Sequence, residues 1–222
     1  MPILENIEPI IHTIYGQSLQ LLSEGAILWV DRNILFIADL HLGKVEHFRK
    51  EGFPLPVQAG HASINKLEEL IKKINPEEVI FLGDLFHSNY NSAWITFKNS
   101  MEIFHEKKFT LVIGNHDILS DEDYSDSVLE VVPEPYILEP FILTHHPEEE
   151  VPINLYNLCG HIHPAVRLKG RAMQSMRLPC FYFSDHVGIL PAFGTFTGSH
   201  TIQAQAGERV YVVADDRVIA VQ

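Results

Sequence analysis

Short apolar runs that end in polar residues recur along the first half of the chain. Residues 25–38, GAILWVDRNILFIA, read as two short strands around a polar turn at 31–33, which is typical of a hairpin. The second of these strands is apolar throughout, as expected in a sheet that is buried on both faces. Asp39 follows it directly. The pattern therefore predicts a buried strand that ends in a carboxylate.

Helical spacing separates the strands that come next. The segment LGKVEHFRKEG has helical character and stops at Gly52. From Ala62 to Ile74 apolar residues recur every three or four positions, and residues 93–106 show a second amphipathic pattern. The segments VIFLGD and FTLVIGNHD are strands that again end in polar groups. This alternation predicts right-handed crossovers and a largely parallel sheet covered on both faces.

The pattern changes after Asp117. The segment ILSDEDYSDSVLE is acidic and irregular, FILTHHP and LYNLCGHIHP are strands that end in histidines, and the C-terminal segments predict shorter antiparallel strands. We predict one domain over residues 1–222, an α/β sandwich with a partly parallel first sheet and a more antiparallel second sheet.

The composition is typical of a soluble, acidic protein. It is 46% apolar and 20% charged, with a net charge of −13. The N-terminal segment lacks the basic region of a signal peptide and no apolar stretch approaches membrane-spanning length, so a cytoplasmic location is expected. Cys159 and Cys180 form no spacing pattern and predict neither a disulfide framework nor a cysteine-rich zinc site.

The negative charge argues against a protein that coats nucleic acid through a broad basic face. It does not exclude an enzyme that holds one phosphodiester, because bound divalent cations reverse the local charge. The thirteen histidines are more unusual, and they are concentrated near carboxylates and glycines.

Five polar clusters follow predicted strands, and their chemistry predicts metal ions. The carboxyl ends of adjacent strands in an α/β sheet converge on one crevice, so the clusters are expected to meet. Aspartate, asparagine and imidazole ligands without thiolate suit Mn²⁺, Fe²⁺ or Zn²⁺, with Mn²⁺ expected first. The ligands are too many for one ion, which predicts two. The clusters are Asp39 with His41, Asp84, Asn115 to Asp117, His145 with His146, and His161 with His163.

The order of these motifs, DLH, GD, GNHD, THH and GHIH, resembles the calcineurin-like metallophosphoesterases over roughly residues 34–164. The resemblance implies a four-layer α-β-β-α sandwich and attack on phosphorus by a hydroxide that bridges two ions. It assigns Asp39, His41 and His163 to the first ion. Asp84 bridges, and the second ion takes Asn115, His145 and His161.

The same resemblance makes His116 a general acid that protonates the departing oxygen, with Asp117 orienting it. In the fourth motif it favours His145 as the ligand, which leaves His146 over the pocket or in solvent. Glycines precede three of the clusters, where they are expected to let the backbone turn sharply and approach the ions: Gly83, Gly114 and Gly160.

A narrower resemblance rests on RLPCFYF, GILPAFGTFTG and the entry segment GAILWVDRNILFIADLHLGKVEHFRKEGFPLP. Together these segments are similar to the bacterial ligase-associated DNA-damage-response endonucleases. The likeness implies a phosphodiesterase that acts on DNA in DNA repair, beside a DNA ligase and a helicase. Support from the residues themselves is limited to a basic cluster near the metal motifs, Arg167, Lys169, Arg171 and Arg177.

Substrate contacts are expected from His87 and Arg167. Two other functions stay open: hydrolysis of a small phosphodiester or pyrophosphate, which the acidic surface favours, and a non-catalytic scaffold, which the complete ligand set opposes. The histidines without a partner motif are interpreted as structural: His12, His47, His61, His105, His186 and His200.

Overall fold

A computed structural model describes residues 9–54, 56–87, 92–125, 127–169 and 175–222. Within these ranges the first sheet has seven strands, which lie side by side in chain order. Neighbours from β1 to β4 are antiparallel, and those from β4 to β7 are parallel. The strands are β1 (Ile10–Ile14), β2 (Gln17–Leu21), β3 (Ile27–Trp29), β4 (Ile34–Ile37), β5 (Glu78–Leu82), β6 (Lys108–Val112) and β7 (Leu129–Val132).

The second sheet is mixed and follows the order β14-β11-β12-β13-β10-β9-β8, with β15 and β16 added beside β12. Only the pairs β9–β10, β10–β13 and β11–β14 are parallel among the strands described. The strands are β8 (Tyr136–Leu138), β9 (Phe141–Leu143), β10 (Tyr156–Cys159), β11 (Pro164–Lys169), β12 (Ser175–Phe183), β13 (Val187–Ile189), β14 (His200–Thr201), β15 (Arg209–Ala214) and β16 (Arg217–Ala220).

The helices of the described ranges all lie between residues 44 and 125. The helix predicted from about Ala62 to Ile74 is confirmed, and it ends where Asn75 takes a left-handed conformation before Pro76. None of these helices is long and apolar enough to cross a membrane. They are α1 (Lys44–Lys50), a 3₁₀ helix (Val57–His61), α2 (Ala62–Ile74), α3 (Ser92–Glu102) and α4 (Asp121–Ser125).

Two apolar cores hold the layers together. Between the sheets, the ring of Phe141 in β9 packs edge-on against Trp29, with centroids 4.8 Å apart, and against Phe36 at 6.3 Å. On the other face of the first sheet, the apolar sides of α2 and α3 pack against β4, β5 and β6, as Leu67 and Phe97 show. Alternate side chains of one sheet thus enter different cores.

The predicted α/β fold with two mixed sheets is confirmed, and three features differ from the expectation. The outer face of the second sheet carries Cys180, Val210 and Val212 with partly buried neighbours, and no described helix covers it. The acidic segment after Asp117 contains α4 and β7. The N-terminal strands β1 and β2 were not predicted; they turn at Tyr15 and Gly16, both with positive φ, as in a tight hairpin.

Candidate metal centre

The first three polar clusters lie at the carboxyl edge of the parallel strands β4, β5 and β6. Asp39 and Asp84 each follow the end of a strand by two residues, and Asn115 by three. Backbone hydrogen bonds tie the first two loops together, because the Asp39 amide donates to the Gly83 carbonyl (3.3 Å) and the His41 amide to the Asp84 carbonyl (2.9 Å). The strand ends therefore converge as predicted.

The histidine clusters come from the second sheet and face this edge. His145 follows β9 and His161 follows β10, again by two residues. The His161 amide donates to the Asp39 carboxylate (Oδ2, 2.9 Å), and the Gly160 amide donates to the His145 carbonyl (3.1 Å). The first of these bonds joins the two sheets at the centre, and the second ties together the two histidine loops of the second sheet. The motifs that are far apart in sequence therefore meet at one place.

The backbone of the centre is strained at the positions predicted to bind metal. A left-handed conformation is uncommon outside glycine and costs about 1–3 kcal/mol per residue. The residues in this conformation at the centre are Asp39 (φ 55°), His41 (47°), Asp84 (50°), His161 (67°) and His163 (50°). Such clustering is typical of sites where the surrounding structure imposes a functional geometry.

Two glycines are required by close approach. A Cβ on Gly160 would lie 2.5 Å from Asp39 Oδ2, and a Cβ on Gly83, which also has a positive φ, would overlap the His145 ring. Because each glycine lacks a Cβ, it leaves room beside the backbone for a predicted ligand.

We call Asp39, His41 and His163 the first half of the centre. The Nε2 atoms of His41 and His163 face each other at 3.3 Å, and His163 Nε2 lies 3.2 Å from Asp39 Oδ1. His163 Nδ1 contacts the Gly198 carbonyl (3.0 Å). Burial, with the positive groups nearby, lowers the pKa of His41 to about 3, so its ring is a neutral ligand.

We call Asn115, His145 and His161 the second half. His145 Nε2 lies 3.1 Å from Asn115 Oδ1 and 3.1 Å from His161 Nδ1, while His145 Nδ1 contacts the Leu82 carbonyl at 3.1 Å. Burial alone would lower the pKa of His145, but the Asp84 and Asp39 carboxylates outweigh it and raise that pKa to about 9.

Asp84 lies between the halves. Its Oδ2 is 3.7 Å from His41 Nε2, and its Oδ1 is 3.4 Å from His145 Nε2. Burial alone would raise the pKa of Asp84, but its hydrogen bonds and the neighbouring imidazoles lower it to about 2, so the carboxylate is ionised. Each oxygen therefore faces one half, as a bridging ligand requires.

This donor set fits divalent metal ions. Asp39 Oδ1 is buried without a hydrogen-bond partner, which is costly unless a cation completes it. Ligands about 2.1 Å from one ion lie about 3 Å apart, which matches the spacing within each half. The groups with converging ligand atoms are Asp39–His41–His163, Asp39–Asp84–His145 and His145–His146–His161.

His116 lies beside the ligands, and Asp117 lies beneath them. The His116 amide donates to Asp84 Oδ1 (3.0 Å), and its ring stacks on His87 with centroids 5.3 Å apart. Asp117 is buried, and its carboxylate accepts from the amides of Gly114 (2.9 Å) and Phe86 (3.1 Å). Among the described contacts no hydrogen bond joins it to the His116 ring. Asp117 thus braces two loop backbones, and its predicted orienting role stays a prediction.

The wall next to His116 holds cationic and imidazole groups. His87 is half-buried, with its Nδ1 unpartnered, and burial with neighbouring positive groups lowers its pKa to about 4. His47, interpreted above as purely structural, lies against it with ring centroids 5.2 Å apart. Lys44 was missed; burial lowers its pKa despite attraction by Asp84 and Asp39. Its position three residues after His41 was the signal that could have identified it.

The basic cluster is only partly described. Arg167 and Arg177 are exposed cross-strand neighbours in β11 and β12, and β11 begins one residue after His163. Arg171 and the side chain of Lys169 lie outside the described part of the chain.

The segment GILPAFGTFTG braces the first half. The amides of Phe193 and Gly194 donate to the carbonyls of Ala38 (2.9 Å) and Asp39 (3.1 Å), and Gly198 accepts from His163. This segment therefore holds two of the three ligands in place from behind.

Comparison with known proteins agrees with this geometry. The family model of the calcineurin-like phosphoesterases matches residues 32–170. A nuclease of Pseudomonas putida, MPE, aligns at 31% identity and a TM-score of 0.81, covering 96% of this chain and 100% of that one. Yfce, a phosphoesterase from E. coli, aligns at 17% identity and a TM-score of 0.46, covering 84% and 96%.

A search of curated protein sequences found no significant match. The motifs, the centre they form and the family match lead to one conclusion: the chain belongs to the calcineurin-like phosphoesterase family, whose members are metal-dependent phosphoester hydrolases.

Proposed function

We propose that the protein is a phosphodiesterase that cleaves DNA and uses two divalent ions, most simply Mn²⁺. The position of Asp84 carries the dinuclear part of the proposal, because its two oxygens face different halves of the centre. The DNA part is supported by similarity to a nuclease over 96% of this chain and 100% of that one. By the resemblance above, we also propose a role in DNA repair beside a ligase and a helicase.

Bound ions would supply charge neutralisation at the phosphate and a water molecule of lowered pKa. The chain supplies the geometry. Asp39 and Asp84 are held by backbone amides of other loops, so their carboxylates need no rearrangement when substrate arrives. Preorganised ligands of this kind account for much of the rate enhancement in such sites.

His116 is proposed to donate a proton to the departing oxygen. Its ring is half-buried and lies next to His41 (centroids 5.7 Å apart) without joining any of the ligand groups. The imidazole therefore remains available to the substrate. Its backbone bond to Asp84 fixes it relative to the ligands, as proton transfer over hydrogen-bonding distance requires.

Arg167 and Arg177 are proposed to contact a flanking phosphate. Arg167 is three residues into β11, about 10 Å along the strand from its start beside the ligands. That distance is too long for the scissile phosphate and suits a neighbouring phosphate of a nucleic acid. A small diester has no group at that position.

The test is cleavage by the Mn²⁺-loaded protein of linear, nicked, branched and single-stranded DNA, beside a cyclic nucleotide and a nitrophenyl phosphodiester. We expect DNA cleavage that Asp84→Asn abolishes. Hydrolysis of the small diesters with none of any DNA would contradict the proposal and support the small-substrate function that the net charge of −13 favours.

A further inference from the structure

We propose that His146 is an additional ligand of the second half and that Glu134 is the residue that positions it. The inference rests on the dinuclear centre proposed above. It changes the prediction for the motif THHP, in which only His145 was expected to bind metal.

The three histidines of this region are close enough to share an ion. Ligand atoms of His145, His146 and His161 all lie within 4.8 Å of one another. The ring centroid of His146 is 4.3 Å from that of His161 and 4.7 Å from that of His145. His146 therefore faces the same space as the two predicted ligands.

The hydrogen bonding of His146 follows the pattern of two predicted ligands, His145 and His163. His145 and His163 each use Nδ1 to contact a backbone carbonyl and leave Nε2 toward the centre. In the same way, His146 Nδ1 lies 3.0 Å from Glu134 Oε1. A histidine that binds metal through one nitrogen usually donates the other N–H to a carboxylate or carbonyl, which fixes the tautomer. The Nε2 atom of His146 has no hydrogen-bond partner within the described ranges.

Glu134 holds both histidines at once. Its Oε2 accepts from the amides of His145 (2.7 Å) and His146 (3.3 Å), while its Oε1 takes the His146 ring. The carboxylate thus orients the ring relative to the backbone of the neighbouring ligand. Ordering a side chain that is 44% exposed, as that of His146 is, costs conformational entropy, and an ion bound at Nε2 would offset that cost.

The deciding variants are His146→Gln and Glu134→Gln, with His186→Gln as a matched control on an exposed loop. In Glu134→Gln the amide oxygen keeps the backbone bonds, but the NH₂ group donates to His146 Nδ1. That forces the ring proton onto Nε2, which then has no lone pair for a metal ion. Glu134→Gln should therefore act like loss of His146 although the histidine is present.

Binding of Mn²⁺ to the metal-free proteins is measured by calorimetry, and the visible spectrum of the Co²⁺ forms reports coordination. We expect two ions in the wild type and the control. Both test variants should lower the affinity for one ion by roughly 10- to 100-fold and leave the affinity for the other unchanged. They should also alter the Co²⁺ spectrum. If His146→Gln does not fold, Glu134→Gln decides alone.

Unchanged binding of both ions and an unchanged Co²⁺ spectrum in the variants would overturn the inference while leaving the dinuclear proposal intact. A single ion in the wild type would overturn both. Two ions with the expected losses, in a protein that cleaves no DNA, would support the inference and contradict only the proposed substrate.

Discussion

The two halves of the metal centre differ in their exposure. In the first half Asp39 is fully buried, His41 is 6% exposed and His163 is partly buried. The amides of Phe193 and Gly194 bond to the carbonyls of Ala38 and Asp39. In the second half His145 is also fully buried, but Asn115 and His161 are exposed. Ligands that are mostly buried and braced would hold an ion in a fixed geometry, whereas exposed ligands would leave a position for water or substrate. We therefore expect an ion in the first half to exchange more slowly than one in the second.

Asp84→Asn is the change expected to have the largest effect, since Asp84 is common to both halves. The amide keeps the size of the side chain but removes the charge between the ions. We expect kcat/KM to fall on the order of 10³-fold or more, about 4 kcal/mol of transition-state stabilisation. Calorimetry should show a lower affinity for both ions. Loss of one ion with normal binding of the other would refute the bridging position.

His116→Ala tests the proposed proton donor, whose ring lies next to His41 of the first half. We expect a loss of about 10²- to 10³-fold on DNA, whose alkoxide leaves poorly, because a general acid is missing. A nitrophenyl diester needs no proton and should lose far less. His105→Ala, an exposed histidine on a distant turn, is the control. Equal losses on both substrates would exclude proton donation by His116.

Gly160→Ala and Gly83→Ala test whether the halves can be damaged separately. The new Cβ of Gly160→Ala would press on Asp39 in the first half, and that of Gly83→Ala on His145 in the second. We expect each to lower the free energy of unfolding by about 1–3 kcal/mol, measured by urea denaturation in EDTA. Each variant should also lower the affinity for a different ion. If both variants weaken the same ion, the division into halves is wrong.

Removal of the basic pair is expected to have the smallest effect. In the double variant Arg167→Ala/Arg177→Ala, DNA cleavage should fall by about tenfold or less. The slope of log binding constant against log salt concentration should become shallower by about one to two. Hydrolysis of a nitrophenyl diester should not change. Lys72→Ala/Lys73→Ala, which removes equal charge from α2, is the control. An equal loss on the small diester would place the arginines in the chemistry itself.

Elements that depend on local interactions were predicted correctly, whereas those that depend on contacts between distant segments were missed. Helix α2 was predicted because its apolar positions recur locally. Strand β7 was missed, since the surrounding segment is acidic and its pairing with β6 depends on contacts across the sheet. The α/β fold with two mixed sheets was predicted from the alternation of strand and helix patterns, and the structure confirms it.

The sequence by itself determined which ligands exist, in which order they come, and that strand ends present them, because residue type and apolar periodicity are local properties. Only the tertiary structure decided how they combine. The place of Asp84 between the halves, the use of Asp117 as a backbone brace, and the hold of Glu134 on His146 depend on hydrogen bonds and distances between separate loops. Side-chain geometry of this kind exists only after the two sheets pack, so no local pattern records it.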